Sequence, residues 1–377
     1  MAASIKLAET ISHPLLNSIP PSLIPHFEPA YVDYYNKYSV GRLATHQVPI
    51  EDFRANPNAY LTTYGRALVE QGNLKITEQK CPVSGGEITI RIFEPDVEKY
   101  GDWMKPVYVN FHGGGWVFGG LQTDFEFCKR VAHEVGAVVF DVDYRLAPEF
   151  RFPIPVNDCW EALNWIRDAK QSEFNLDLDR LAIGGVSAGG HLAAVVAHMC
   201  RDASIPLAFQ LLAVPVCDLH IFAPDGTSLS SQPYASYRDL ANTQPLPLER
   251  MTYFHRHFLG NPRPKEVDVD WRVSPMHAKS FKGLAKALVV TAEMDLLKDE
   301  GVVYAGKLRD AGVAVQEVQI KGAPHTFMQM DGILDGGKEY NRVTVKALQE
   351  ALGKKIILGL NSKYISGQNY LPEGAFL

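Results

Sequence analysis

Cysteine is sparse in this chain: 377 residues hold five, Cys81, Cys128, Cys159, Cys200 and Cys217, odd in number and scattered. That pattern fits neither a disulfide framework nor the paired spacing of a zinc site. It reads as reduced, mostly buried thiols in an intracellular, cytoplasmic protein. Positive charge is also short. Lys and Arg total 37 against 43 Asp and Glu, a formal net charge of −6, so no basic footprint marks nucleic acid or an anionic membrane as partner. No apolar run is long enough to span a bilayer. Met1 to Asn17 lacks the basic start, apolar stretch and small-residue cleavage site of a secretory signal. There are no repeats and no long low-complexity tracts, and the length fits one large domain carrying a lid.

What is present carries chemistry. His112-Gly113-Gly114-Gly115-Trp116 precedes Gly185-Val186-Ser187-Ala188-Gly189. In Gly-x-Ser-x-Gly the serine sits on a sharp strand-to-helix turn, where a larger neighbour would strike the backbone. The turn lifts the hydroxyl above a sheet and aims the N–H of the next residue, Ala188, at the reacting carbonyl oxygen. The glycine run supplies further donors, because a chain without Cβ atoms can turn successive N–H groups to one point. The expected oxyanion hole is Gly113, Gly114 and Ala188. Either motif alone is weak; together they read as a preformed oxyanion hole beside a serine nucleophile.

The remaining partners follow in a definite order, an acid and then a histidine, each after a later strand. Ala287 to Ala292 is a β-branched apolar run followed by Glu293-Met294-Asp295. Val313 to Ile320 reads as the next strand, and Gly322 to Phe327 as the loop after it, with His325 inside. Asp295 and His325 therefore complete a candidate triad with Ser187. His325 is the expected base and Asp295 its orienting acid, with Glu293 and Asp299 as neighbours. His191 is expected to pack or bond locally, and His112 to brace the glycine loop. Trp116 and Phe118, beside that loop, are expected to touch substrate. Neither a metal nor an organic cofactor is implied.

Short apolar runs at 107–111, 137–142, 181–183 and 209–214 alternate with helical patterns at 124–134, 156–169 and 191–201. Alternation of this kind implies an α/β fold, a mostly parallel central sheet flanked by helices, with ligand at the carboxyl ends of the strands. The more polar pair at 74–78 and 88–94 is expected to open the sheet in antiparallel fashion. Residues 1–70 and 218–277 break the rhythm and are expected to fold as a cap over core segments 71–217 and 278–377. Tyr31, Tyr34, Tyr35 and Tyr38 lie at helical spacing, and Met251, Tyr253, Phe254, Phe258 and Leu259 form a second apolar cluster. Both clusters are expected to pack the cap onto the core, with several of their residues read alternatively as lining an apolar substrate pocket. The tail from Lys354 to Leu377, with its Gly, Asn and Pro, is read as either wrapping the surface or being partly disordered.

These motifs resemble the hormone-sensitive-lipase branch of the α/β-hydrolase carboxylesterases, from about Val107 to about Gln349. Asp143-Tyr144-Arg145-Leu146-Ala147-Pro148-Glu149 resembles a segment of that branch, Asp295 to Gly301 its acid loop, and His325-Thr326-Phe327 its His-Gly-Phe. Val186, Leu296 and Thr326 depart from its usual residues. The resemblance implies an α/β-hydrolase fold with a helical cap. It also implies hydrolysis of a small-molecule carboxylic ester with a short to medium acyl chain, compatible with a bulky alcohol such as a secondary metabolite. It gives Glu149 a supporting hydrogen bond near the nucleophile turn. It further implies a homodimer through the edge strand at 313–320, whose unpaired backbone groups invite a second copy. The triad alone leaves open amide or thioester cleavage, synthase-like chemistry and ligand binding as a receptor.

Overall fold

The computed structural model describes residues 16–57, 60, 65–101 and 103–353. The first fifteen residues, where a signal segment was looked for, and the tail from 354 lie outside the described residues. Eight strands form one sheet: β1 (Lys75–Val83), β2 (Gly86–Glu94), β3 (Lys105–Phe111), β4 (Val138–Asp143), β5 (Leu176–Val186), β6 (Phe209–Ala213), β7 (Lys286–Met294) and β8 (Val315–Pro324). Their spatial order is β1-β2-β4-β3-β5-β6-β7-β8. β2 runs antiparallel to both β1 and β4, and the strands from β4 to β8 are parallel. Every residue of the central β3 is buried, as its unbroken apolar run requires when both faces are covered. The edge strand β1 alternates between exposed and covered residues, which is why its sequence is more polar.

Eleven α-helices are defined among the described residues: α1 (Pro29–Tyr38), α2 (Ile50–Ala55), α3 (Val97–Tyr100), α4 (Phe125–Val135), α5 (Ile154–Ala169), α6 (Ala188–Asp202), α7 (Ala235–Asp239), α8 (Leu248–Leu259), α9 (Lys265–Asp268), α10 (Lys298–Asp310) and α11 (Asp335–Leu352). α5 packs beside α6 and α4 beside α11, while α6 and α11 both lie on β5 and β6. All five cysteines are free and buried in this core. Among the described residues no helix is long and apolar enough to cross a membrane.

The two segments that break the sheet's rhythm meet above its carboxyl edge. Tyr35 of α1 donates its hydroxyl to Gln244 Oε1 at 3.0 Å, and Arg250 of α8 donates to Thr45 Oγ1 at 2.9 Å. Tyr31 and Tyr35 turn inward on α1, and Met251, Tyr253, Phe254, Phe258 and Leu259 are all buried on α8. The N-terminal segment is also tied to the last third of the chain. The Glu28 N–H donates to Gly322 O at the end of β8 at 2.9 Å. The Glu28 carboxylate accepts the Asp335 N–H at 2.9 Å, closing the start of α11.

Candidate active site

β5 ends at Val186 and α6 begins at Ala188, so Ser187 alone makes the turn, with φ 58° and ψ −115°. Conformation and crowding both follow from the flanking glycines. A Cβ on Gly189 would lie 1.8 Å from Phe111 O, and one on Gly185 would lie 2.4 Å from the same oxygen. Neither backbone can yield without separating β3 from the turn. Gly189→Ala is therefore expected to cost about 3 kcal/mol or more. A urea midpoint close to wild type would refute the collision.

His325 follows the last residue of β8 directly, and Asp295 follows the last residue of β7. Ser187 Oγ lies 2.9 Å from His325 Nε2, and His325 Nδ1 lies 2.6 Å from Asp295 Oδ2. Asp295 is fully buried and its other oxygen accepts the Leu297 N–H at 3.1 Å. A proton on Nδ1 is thus paired with a carboxylate, leaving Nε2 as acceptor for the serine hydroxyl. The neighbouring acids are engaged elsewhere. Glu293 accepts the Gly322 N–H at 2.7 Å and Asp299 the Ser236 N–H at 2.8 Å. Glu300, buried and pushed well up by that burial, accepts from Cys217 N–H and Tyr237 OH.

The glycine loop stands over this triad. His112 donates from Nδ1 to Gly113 O at 2.8 Å and stacks on Tyr144 with ring centroids 4.2 Å apart. Tyr144 OH in turn donates to His112 O. Burial lowers the His112 imidazole to about 4, so it stays neutral in this brace. At Gly114, φ is +127° and a Cβ would lie 2.1 Å from Phe118 O. Burial pushes the Asp124 carboxyl up, and Arg66, Asn110, Gln329 and the Gly113 N–H counter it. Gly113 and Gly114 both line the cavity over Ser187, and among the described residues no backbone carbonyl accepts from Gly113, Gly114, Gly115 or Ala188.

Two sequence expectations need correction. Trp116 does not line the cavity over Ser187. It has φ +61°, is fully buried, and stacks on Phe258 at 4.3 Å with rings 5° apart. Its Nε1–H donates to His191 Nδ1 at 3.3 Å, and His191 Nε2 reaches Arg272 O at 2.9 Å. The positive φ swings the side chain behind the loop, into the seam between α6 and α8. Trp116→Ala is expected to cost about 3–5 kcal/mol of stability, with the ranking of esters by size unchanged; a changed ranking would return Trp116 to the substrate wall. Glu149 likewise makes no hydrogen bond to the nucleophile turn among the described residues. It is exposed and pairs with Arg54 of α2 at 3.2 Å, tying the cap to the core surface.

A cavity of about 790 Å³ opens above Ser187 and His325. Phe118 lines it, packed on Phe53, Tyr253 and Phe254. Both cap segments contribute wall, including Tyr35, Thr45 and Phe53 from the first and Leu246, Arg250 and Phe254 from the second. The sequence marks Phe254 as packing or pocket lining and gives no sign of Arg250, which has no motif around it. Among the described residues Asp218, His220 and His277 bring three potential metal-ligand atoms within 4.8 Å of one another. None of these lines the cavity, and His277 Nε2 already lies 3.0 Å from Asp218 Oδ1.

Residues 108–329 match the family described as the alpha/beta hydrolase fold. An AB hydrolase superfamily protein of Schizosaccharomyces pombe is 34% identical over 336 residues, 86% of this chain and 94% of that protein. The carboxylic ester hydrolase LipN of Mycobacterium tuberculosis is 32% identical over 285 residues, 75% of this chain and 72% of that protein. Among solved structures, a thermostable esterase of Pseudomonas putida aligns with a TM-score of 0.75 at 30% identity, over 88% of this chain and 99% of that one.

Proposed function

We propose, for a chain that belongs to the hormone-sensitive-lipase-like carboxylesterase branch of the alpha/beta hydrolases, a two-step transfer of an acyl group from an ester to water at Ser187. The observation that carries this reading is the unbroken hydrogen-bonded line from Ser187 Oγ through His325 to buried Asp295, 2.9 and 2.6 Å, on the floor of a cavity. His325 takes the serine proton as Oγ attacks the ester carbonyl, and Asp295 stabilises the imidazolium that forms. The oxyanion is received by the N–H groups of Gly113, Gly114 and Ala188, none of which has a backbone acceptor among the described residues. His325 then protonates the departing alcohol. Water, deprotonated by the same histidine, cleaves the acyl-enzyme and restores the serine.

The substrate reading is an ester of short to medium acyl chain whose alcohol part is bulky, for which a cavity of about 790 Å³ leaves room. Hydrolysis of p-nitrophenyl esters from acetate to laurate tests it, together with labelling by a fluorophosphonate probe. The expected outcome is a short-chain optimum and a label on Ser187. Absence of both turnover and label would overturn the hydrolase reading; a label without turnover would overturn only the substrate class.

A further inference from the structure

The cavity over Ser187 is positively lined in a chain that is acidic overall. Four of its described lining residues are arginines, Arg42, Arg54, Arg66 and Arg250, and none is Asp or Glu, against a net charge of −6 for the chain. Two of these charges are matched from outside the lining. Arg54 pairs with Glu149, and Arg66 faces the buried Asp124 carboxyl.

Arg250 is different. Its Nη1 donates to Pro245 O at 3.0 Å and its Nη2 to Thr45 Oγ1 at 2.9 Å, both neutral acceptors. Its Nε–H is buried and has no acceptor. Among the described residues no carboxylate lies within ion-pair distance of it; the adjacent Glu249 is turned out to solvent, 3.8 Å from His46. A guanidinium held at a cavity wall with an unmet buried donor and no counter-charge is a poor arrangement for the empty protein. A carboxylate entering the cavity supplies the missing counter-charge, bonding to the terminal N–H groups that Pro245 and Thr45 leave unused.

The position relative to the chemistry is fixed by one ring. Phe254 packs so closely on the glycine loop that a Cβ on Gly115 would lie 2.4 Å from it. The Arg250 guanidinium carbon lies 5.6 Å from the centroid of that same ring. The charge and the oxyanion loop are therefore neighbours of one side chain, within the span of a small substrate.

We infer that the preferred substrate is an ester bearing a second, ionised carboxylate, which Arg250 receives while the ester carbonyl lies at Ser187. This rests on the hydrolase reading above. The carboxylate can belong to the acyl half, as in a half-ester of a dicarboxylic acid, or to the alcohol half, as in an acylated hydroxy acid. In either case water adds across the ester bond, giving the free acid and the alcohol, and the anchoring carboxylate is unchanged.

The test compares kcat/KM within matched pairs. p-Nitrophenyl hemiglutarate against p-nitrophenyl valerate places the charge on the acyl side. 4-Acetoxybutyrate against its primary amide, followed by acid release, places it on the alcohol side. One of the two pairs is expected to favour the anion by about ten- to a hundredfold in wild type. That ratio is expected to collapse to unity or below in Arg250→Met and to recover in part in Arg250→Lys. Neutral-ester turnover that depends on Ser187, with no anion preference in either pair, overturns the inference and leaves the hydrolase reading standing. A preference that survives in Arg250→Met overturns it too. If Arg250→Met does not fold, inhibition of wild-type valerate hydrolysis decides: glutarate competing where glutaramide does not is expected, and equal inhibition is the refuting result. Absence of turnover on every ester overturns the hydrolase reading and this inference with it.

Discussion

Replacing Ser187 by alanine is expected to lower kcat on every ester by on the order of 10⁴- to 10⁶-fold, with the fold and the binding of substrate retained. The side chain is small, and the hydrogen bond to His325 Nε2 at 2.9 Å is the one described for it. Its removal leaves no cavity of consequence, so a thermal midpoint near wild type should accompany the loss. Because nucleophile and base act as a unit, Ser187→Ala/His325→Ala should be barely slower than Ser187→Ala alone. Residual turnover of a tenth or more, measured on protein purified free of contaminating esterases, would sink the assignment of Ser187. A double variant slower than the single by another large factor would sink the coupling of the two residues.

Asp295→Asn is expected to cost on the order of 10⁴-fold in kcat with little change in KM. The reason lies in which atoms face which. Asp295 Oδ1 accepts the Leu297 N–H and Oδ2 faces His325 Nδ1 at 2.6 Å. An asparagine that keeps its oxygen on Leu297 must turn its NH₂ to Nδ1. The imidazole then has to accept there and carry its proton on Nε2, pointing at Ser187 instead of receiving from it. The base is lost although nothing has moved. Nitrogen-15 spectra of the imidazole should report the exchanged tautomer. Glu293→Gln is the control, since the Glu293 carboxylate serves the Gly322 N–H; a comparable loss there would assign the acid to Glu293.

What could be read from the chain, and what could not, divides by the range of the constraint. Ser187, its glycines and the order of acid and histidine were legible because each depends on local backbone. Gly185 and Gly189 are required by a single oxygen, Phe111 O, that would meet any Cβ. The strand assignments hold for the same reason: buried parallel strands read as continuous apolar runs, and the structure lengthens β5 to Leu176–Val186 and β8 to Val315–Pro324 mainly by polar and turn residues. Trp116 and Glu149 misled because side-chain direction is not local. A positive φ at Trp116 and the arrival of Phe258 from α8, more than a hundred positions along the sequence, decide which way the indole points. Arg250 was illegible altogether, being one of 37 basic residues whose partner, Thr45, is 205 positions away.

The Glu28 carboxylate that closes α11 has a consequence for how this protein comes to exist. Glu28 is made 307 residues before Asp335, whose N–H it accepts. Between them every strand of the sheet is laid down. A chain made only as far as Asp202 contains Ser187 but lacks Ala213 of β6, whose carbonyl accepts the Ser187 N–H, as well as Asp295 and His325. The base arrives only with His325 at the tip of β8, beside Gly322, whose carbonyl Glu28 also engages. Glu28 must therefore wait, unsatisfied, until Gly322 and Asp335 have been made, and Ser187, Asp295 and His325 can meet only after β8 is complete.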